Sequence, residues 1–214
     1  MARLTTLALR DAAEWLGDWH PLAEQLGSAD GLVDLASVSI LLELRPVHDV
    51  HTLRQFLQGY QARILIPIEL PTIQTAQGHA AHHEVRELIA LDGQLAEHAV
   101  LKNFAAPSQR VGRAQLQKLR PLRDDRVVQR YLNAVESGLA RGWHTVVYGL
   151  TLAVYSLPLR QGLLGYAHQT TRGFIYSAAR MLHLSERSCR ELFDEQCASL
   201  PATLGTVPAR ELLN

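Results

Sequence analysis

The stretch that decides the fold runs from Gly142 to Ser185 and reads GWHTVVYGLTLAVYSLPLRQGLLGYAHQTTRGFIYSAARMLHLS. Only three of its residues carry a full charge, namely Arg160, Arg172 and Arg180. A stretch of this length with so few charges has to be buried in a core or covered by a partner.

Glycines within this stretch predict close packing between helices. Gly149, Gly162, Gly165 and Gly173 fall inside helical patterns, where glycine costs about 1 kcal/mol relative to alanine. That cost is tolerable where the backbones of two helices approach each other, or where the backbone of a partner comes near.

Helical spacing recurs along the rest of the chain, and strand signals are scarce. Apolar residues follow steps of three and four from Val50 to Ile64, with Asp49 placed as an N-cap. Pro67 and Pro71 then predict two breaks, so that the next helix starts near Thr72.

Proline, glycine and serine divide the second half of the chain into further helices. Pro107 opens one helix and Pro121 ends it, Gly138–Gly142 loosens the next, Pro158 separates two more, and Ser185 begins the last. The pattern predicts an all-α fold, a compact single-domain bundle of about eight to ten helices.

The predicted domain covers residues 1–200, and residues 201–214, which contain Gly205 and Pro208, are expected to form a flexible tail. No period of 20–50 residues repeats along the chain, which argues against a solenoid.

The chain has no net charge, so it is not expected to bind a partner through its overall charge. Lys and Arg total 21, as do Asp and Glu, which argues against nucleic acid and membrane surfaces. Basic residues cluster over residues 110–130, interrupted by Asp124 and Asp125, and this cluster indicates a solvated or partner-facing surface. A DNA-associated regulator that uses the cluster stays an alternative.

Cysteine usage and hydropathy favour a cytoplasmic protein. The two cysteines, Cys189 and Cys197, form no CxxC motif, and sparse cysteine suits a reducing compartment. The first residues lack the pattern of a signal peptide. The longest central uncharged run, Thr145–Leu159, is too short and too polar for a membrane span.

Histidine supplies the candidates for a metal site. On one helix, His79 and His83 would share a face, with Glu87 one turn further. The HExxH motif is absent, and Gly78 favours an exposed polar turn instead. A helical di-metal or haem-oxygenase-like enzyme that uses these three side chains is the alternative function.

Motifs for other chemistry are absent from the chain. It contains no GxSxG nucleophile elbow and neither of the glycine-rich phosphate loops GxGxxG and GxxxxGK[ST]. We therefore expect no catalytic residue, no cofactor and no resident metal, which favours a binding or scaffolding role.

Short motifs follow one another in order along the chain: HTVVYG at residues 144–149, LLGY at residues 163–166 and RMLHL at residues 180–184. They resemble the H-x-V-V-F-G, L-L-x-Y and R-L-x-P-L motifs of the urease accessory protein F family. Glu69-Leu70-Pro71 resembles a D/E-L-P element. Leu91-Asp92, Ser108, Gly112 and Arg113 then follow in the order L-D … S-x-x-x-G-R, and the resemblance runs from about Leu53 to Leu192.

This resemblance implies a non-enzymatic, all-α accessory protein that is usually a homodimer. Such a protein joins a D/H-type accessory protein and a G-type GTPase, and helps to deliver nickel to apo-urease. By resemblance, we expect the arginines of residues 110–113 and the helix at 143–149 to form or support the partner surface, and Arg180 to brace the long helix pair. The expected interface residues are Arg110, Arg113, His144, Tyr148, Gly149 and Arg180.

The N-terminal part departs from the family pattern. The family opens with S-D-S-x-x-P-x-G-x-F-x-H-S-x-G-L-E, and here only Asp18, Leu26 (for Phe), Gly31 and Leu32 align with it. We therefore expect this segment to differ in any contact that it makes near a dimer or partner interface.

Overall fold

The computed structural model describes residues 35–123, 125–198 and 200, and the regular elements assigned within those ranges are all helices. The all-α prediction is therefore confirmed. The elements are α1 (Leu35–Leu41), α2 (Val50–Tyr60), a π-helical segment (Gln61–Glu69), α3 (Leu70–Ala81), α4 (Val85–Glu97), a 3₁₀ segment (Ala99–Phe104), α5 (Ala105–Leu119), α6 (Arg126–Glu136), α7 (His144–Val154), α8 (Leu159–Leu182) and α9 (Glu186–Cys197).

Local capping fixes the start of α2, as the sequence predicted. The Asp49 carboxylate accepts a hydrogen bond from the Thr52 backbone N–H at 2.7 Å, and the Thr52 hydroxyl accepts one from the Asp49 N–H at 3.0 Å. This reciprocal capping box satisfies two donors that the first turn leaves open. The Thr52 hydroxyl also donates to the Asp49 carboxylate, and the hydrogen bonds that the carboxylate accepts from the Thr52 N–H and hydroxyl lower the pKa of Asp49.

The predicted breaks at Pro67 and Pro71 are wrong. The helical backbone continues from α2 through the π-helical segment, which contains Pro67, into α3, where Pro71 is the second residue. A proline lacks one N–H donor, and a π-helical stretch changes the hydrogen-bond spacing around it without ending the helix. The next α-helix therefore starts at Leu70, two residues before the predicted position.

The helix predicted to open at Pro107 begins two residues earlier, at Ala105, whereas the starts of the last two helices agree with the prediction. Pro158 is the N-cap of α8, and Ser185 caps α9 by accepting from the Ser188 N–H at 3.1 Å. His183 ends α8 in the left-handed conformation with φ 52°, a role usually taken by glycine or asparagine.

The centre of the core is α7, which is buried on every side. All nine residues from His144 to Leu152 are buried, as the low charge of the stretch predicted. This helix packs against α3, α5 and α4, while α8 packs against α1, α2, α3 and α9. No helix in the described ranges combines the length and the apolar character needed to span a membrane.

Gly149 allows α7 to lie directly on α3. A methyl group placed on Gly149 would lie 2.5 Å from the backbone oxygen of Ile73 and 2.9 Å from the backbone nitrogen of Gln77. These are backbone atoms, which cannot move aside as the end of a flexible side chain can. The close packing predicted for this glycine is therefore confirmed.

We expect Gly149→Ala to lower the free energy of unfolding by about 3 kcal/mol, because the added methyl group forces two helix backbones apart. Urea denaturation followed by circular dichroism measures the change. Gly93→Ala is the matched control, since Gly93 is exposed on α4 with no atom within 4 Å of the added methyl group. This control should gain roughly 0.5–1 kcal/mol of stability. Equal effects of the two substitutions would contradict the packing explanation.

Candidate functional site

The six residues predicted for a partner interface fall into two groups. Arg110, Arg113 and Arg180 are exposed, whereas His144, Tyr148 and Gly149 are buried, the first two with no exposed surface. Of these six residues, a partner that docks on this conformation can touch only the three arginines. The three motif residues of α7 can therefore support such a surface, but they cannot form it.

The arginine-bearing helix α5 is attached to the start of α7 through its backbone. The Ser108 hydroxyl accepts a hydrogen bond from the His144 N–H at 3.1 Å. Gly112 lies so close to the backbone of Gly142 that a side chain there would collide with it. Arg113 donates from Nε to the Arg141 carbonyl at 2.9 Å. The S-x-x-x-G-R series therefore fixes α5 against α7.

Asp92, on α4, organises the loop that leads into α7. This side chain has no exposed surface. Its carboxylate accepts hydrogen bonds from the backbone N–H groups of Gly142 at 2.9 Å and Trp143 at 3.1 Å, from the N–H of Arg141, and from the Tyr131 hydroxyl at 2.7 Å. A carboxylate here satisfies donors and opposes the positive end of the α7 dipole.

Aromatic side chains surround the histidine of the H-x-V-V-Y-G motif. The His144 ring lies 5.9 Å from the Tyr148 ring and 5.7 Å from the Tyr166 ring, measured between centroids. Tyr148 donates its hydroxyl to the Gly162 carbonyl on α8 at 3.1 Å. This cluster joins α7 to α8 inside the core and gives His144 a packing role.

Glu69 is an acidic side chain beside the same cluster. Tyr60 donates its hydroxyl to Glu69 Oε2 at 2.9 Å. Burial raises the pKa of Glu69 to about 7, and interactions with the hydroxyl groups of Tyr60 and Tyr166 partly oppose that rise. This carboxyl group lies at the end of the π-helical segment, near Tyr166 of α8. It therefore titrates near neutral pH.

His79 and His83 do not share a face of one helix, so that expectation is wrong. α3 ends at Ala81, and His83 adopts φ 59° in the turn before α4. His79 instead pairs through Nδ1 with Glu84 Oε2 at 2.7 Å. Within the described ranges, no group of three or more metal-binding side chains is assembled. The geometry that motivated the di-metal alternative with Glu87 is therefore not found.

Arg180 lies exposed in the last turn of α8, where a cation is favourably placed against the helix dipole. The bracing of the long helix pair by Arg180 stays a prediction. The aligned N-terminal residues Asp18, Leu26, Gly31 and Leu32, and the tail at 201–214, lie outside the described residues.

Sequence reasoning included Asp92 in a motif but did not assign its role. The signal was present, because Asp92 is an acid on the apolar face of α4, beside Leu88, Leu91 and Leu95. A carboxylate at a buried helical position requires donors, but the sequence does not show which donors they are.

Comparison with known proteins gives one family. A family model described as UreF matches residues 47–193, which is more than two thirds of the chain. A search of curated proteins found no match to the chain. The chain belongs to the UreF family, which confirms the resemblance found in its motifs and supports a urease accessory role.

We expect Asp92→Asn to lower the free energy of unfolding by about 2–4 kcal/mol, because an amide cannot accept all the hydrogen bonds that converge on the carboxylate. Urea denaturation measures the loss, and hydrogen exchange should accelerate at the amides of residues 141–143. Glu97→Gln, an exposed substitution on the same helix, is the control and should change neither. Unchanged exchange at these amides in Asp92→Asn would refute the proposed anchoring.

Glu69 should make the folded protein less stable as pH rises. The pKa of Glu69 is about 7 in the folded protein, against 4.5 for an unperturbed glutamate. The folded state therefore holds this proton more tightly than the unfolded state does. The contribution is complete below about pH 4.5 and is lost as pH rises through 7, by at most about 3 kcal/mol, because the side chain is only half-buried.

Burial lowers the pKa of His168 to about 4, which makes stability rise with pH up to about 6.5 in any variant that keeps this histidine. Urea titrations from pH 5 to pH 8 should therefore show the Glu69 effect as a difference, with the stability of wild type falling relative to that of Glu69→Gln as pH rises. The exposed control Glu87→Gln should follow wild type, and parallel curves for all three proteins would contradict the assignment.

Proposed function

We propose that this UreF-family chain is a non-enzymatic accessory protein that scaffolds a complex with a D/H-type accessory protein and a G-type GTPase for nickel insertion into apo-urease. The observation that carries the proposal is the family match over residues 47–193. It covers α2 to α8 and most of α9, and so includes Asp92, the contacts between α5 and α7, and the aromatic cluster around His144.

The proposed docking surface for the GTPase is the exposed side of α5. Arg110 and Arg113 point away from the core on a helix whose other side is fixed to α7 by Ser108 and Gly112. A guanidinium group held on a rigid helix suits recognition of carboxylates or phosphates on a partner. In this proposal, the buried motif residues His144, Tyr148 and Gly149 act by keeping α5 in position.

Nickel is the cargo of the complex in this proposal, and the chain supplies no catalytic residue of its own. By family, we also propose that the chain is a cytoplasmic homodimer, which places two copies of the α5 surface in one assembly. Arg180 is kept as a candidate contact because it is exposed at the end of α8.

Charge reversal on α5 tests the docking surface. We expect Arg110→Glu combined with Arg113→Glu to reduce co-purification of the G-type GTPase by about tenfold or more, since reversed charges repel a surface that the arginines attract. Activation of apo-urease by the reconstituted proteins with nickel should fall with it. The control is Arg86→Glu with Arg187→Glu, which makes the same change in net charge at exposed positions on α4 and α9.

The outcomes separate two questions. If wild-type chain forms no complex with either accessory protein, the accessory function itself is wrong. If wild type binds and the α5 variant binds equally well, the function stands and the assignment of the surface is wrong. Circular dichroism of both double variants establishes that they are folded.

A further inference from the structure

The buried side chains of the π-helical segment Gln61–Glu69 follow a spacing that suits its own winding. Tyr60, Ile64 and Leu65 are buried and Glu69 is half-buried, which gives steps of four and five residues from Tyr60 to Glu69. Hydrogen bonds from residue i to residue i+5 require more than four residues per turn. This winding therefore places the four side chains on one face.

A hydrogen bond across the whole segment depends on this winding. The Tyr60 hydroxyl donates to Glu69 Oε2 at 2.9 Å, and so joins the residue before the segment to its last residue. In an α-helix, nine residues make about two and a half turns, which puts the two side chains on opposite faces. Pro67 disfavours α-helical winding as well, because its ring would meet the carbonyl four residues earlier.

The same part of the chain holds the turn that follows α1. Arg63, in the first half of the segment, donates from Nη1 to the Leu42 carbonyl at 2.6 Å. Leu44 lies over Gly59 in the last turn of α2, where an added methyl group would be 2.8 Å from Cδ1 of Leu44. The position of α1 therefore depends on the junction between α2 and the segment.

The end of α9 is attached to this junction too. Gln61, the first residue of the segment, donates from Nε2 to the Gln196 carbonyl at 3.0 Å. Arg54 of α2 donates from Nε to both carboxylate oxygens of Glu195, at 2.8 and 3.0 Å. Gln61 and Arg63 are only two positions apart, so a change of winding would turn both side chains away from the helices that they hold.

We propose that the π-helical segment couples α1 to α9, and that the Tyr60–Glu69 hydrogen bond maintains the winding on which both attachments depend. Both helices then stabilise the same one of two windings. Such coupling is reciprocal, so an event that loosens α1 also loosens α9, and the reverse. A partner that binds either helix would change the other without contacting it. The coupling is a property of the single chain and does not depend on the proposed accessory function.

Hydrogen exchange of the full-length chain, read by mass spectrometry over residues 35–44 and 186–198, tests the coupling. Arg63→Ala removes the hydrogen bond to the end of α1, and Gln61→Ala removes the one to α9. Each substitution should accelerate exchange at both helices by about two- to tenfold, the effect expected when one hydrogen bond is lost. Acceleration confined to the helix that lost its own hydrogen bond would overturn the proposal.

Two tyrosine variants separate coupling from a general loss of stability. Tyr60→Phe keeps the ring that packs against Phe174, with centroids 4.7 Å apart, and should accelerate exchange at both α1 and α9. Tyr131→Phe removes another buried hydroxyl that donates to a carboxylate, at 2.7 Å, and should leave both helices as in wild type. Urea denaturation compares the overall stability of the two variants. Equal acceleration in both variants, or no acceleration in Tyr60→Phe, would also overturn the proposal.

Discussion

The Asp92 carboxylate is the interaction on which the rest of the structure depends. It gathers three successive backbone N–H groups at the entrance to α7 and a hydroxyl from α6, and so joins α4, α6 and α7 at one buried point. A buried carboxylate without donors would be strongly unfavourable, whereas one with four donors holds a specific backbone arrangement. The direction of α7, and therefore of every helix packed on it, follows from that arrangement.

Close backbone contacts connect the position of α7 to the positions of the helices around it. Gly149 lets α7 lie on α3, and Gly112 lets α5 lie on the start of α7. The residues that mark the family in sequence are thus largely internal. They hold α5 at a fixed position and orientation, and in the proposed complex they would act on a partner only through the exposed arginines of that helix.

The polar groups in and beside the core differ in how many hydrogen-bond donors they have, and Glu69 is half-buried whereas Asp92 is fully buried. Asp92 is fully supplied with donors, whereas Glu69 has the hydroxyl of Tyr60 and an interaction with Tyr166 but lies in surroundings that disfavour its charge. The same physics lowers the pKa of His168 to about 4, since burial and the nearby Arg172 both disfavour the imidazolium form. The core therefore favours neutral side chains wherever the backbone does not supply several donors.

The sequence by itself determined the helical class, the family, and the boundaries that depend on neighbouring residues. Asp49 and Ser185 cap helices through bonds within three residues, so local chemistry suffices to predict them. Tertiary structure alone decided that the helix continues past Pro67, that His83 leaves its helix, and that His144 is buried while Arg110 is exposed. It also decided which donors meet Asp92, up to 51 positions away. Such outcomes depend on which surfaces meet once the chain is folded, and sequence spacing does not contain that information.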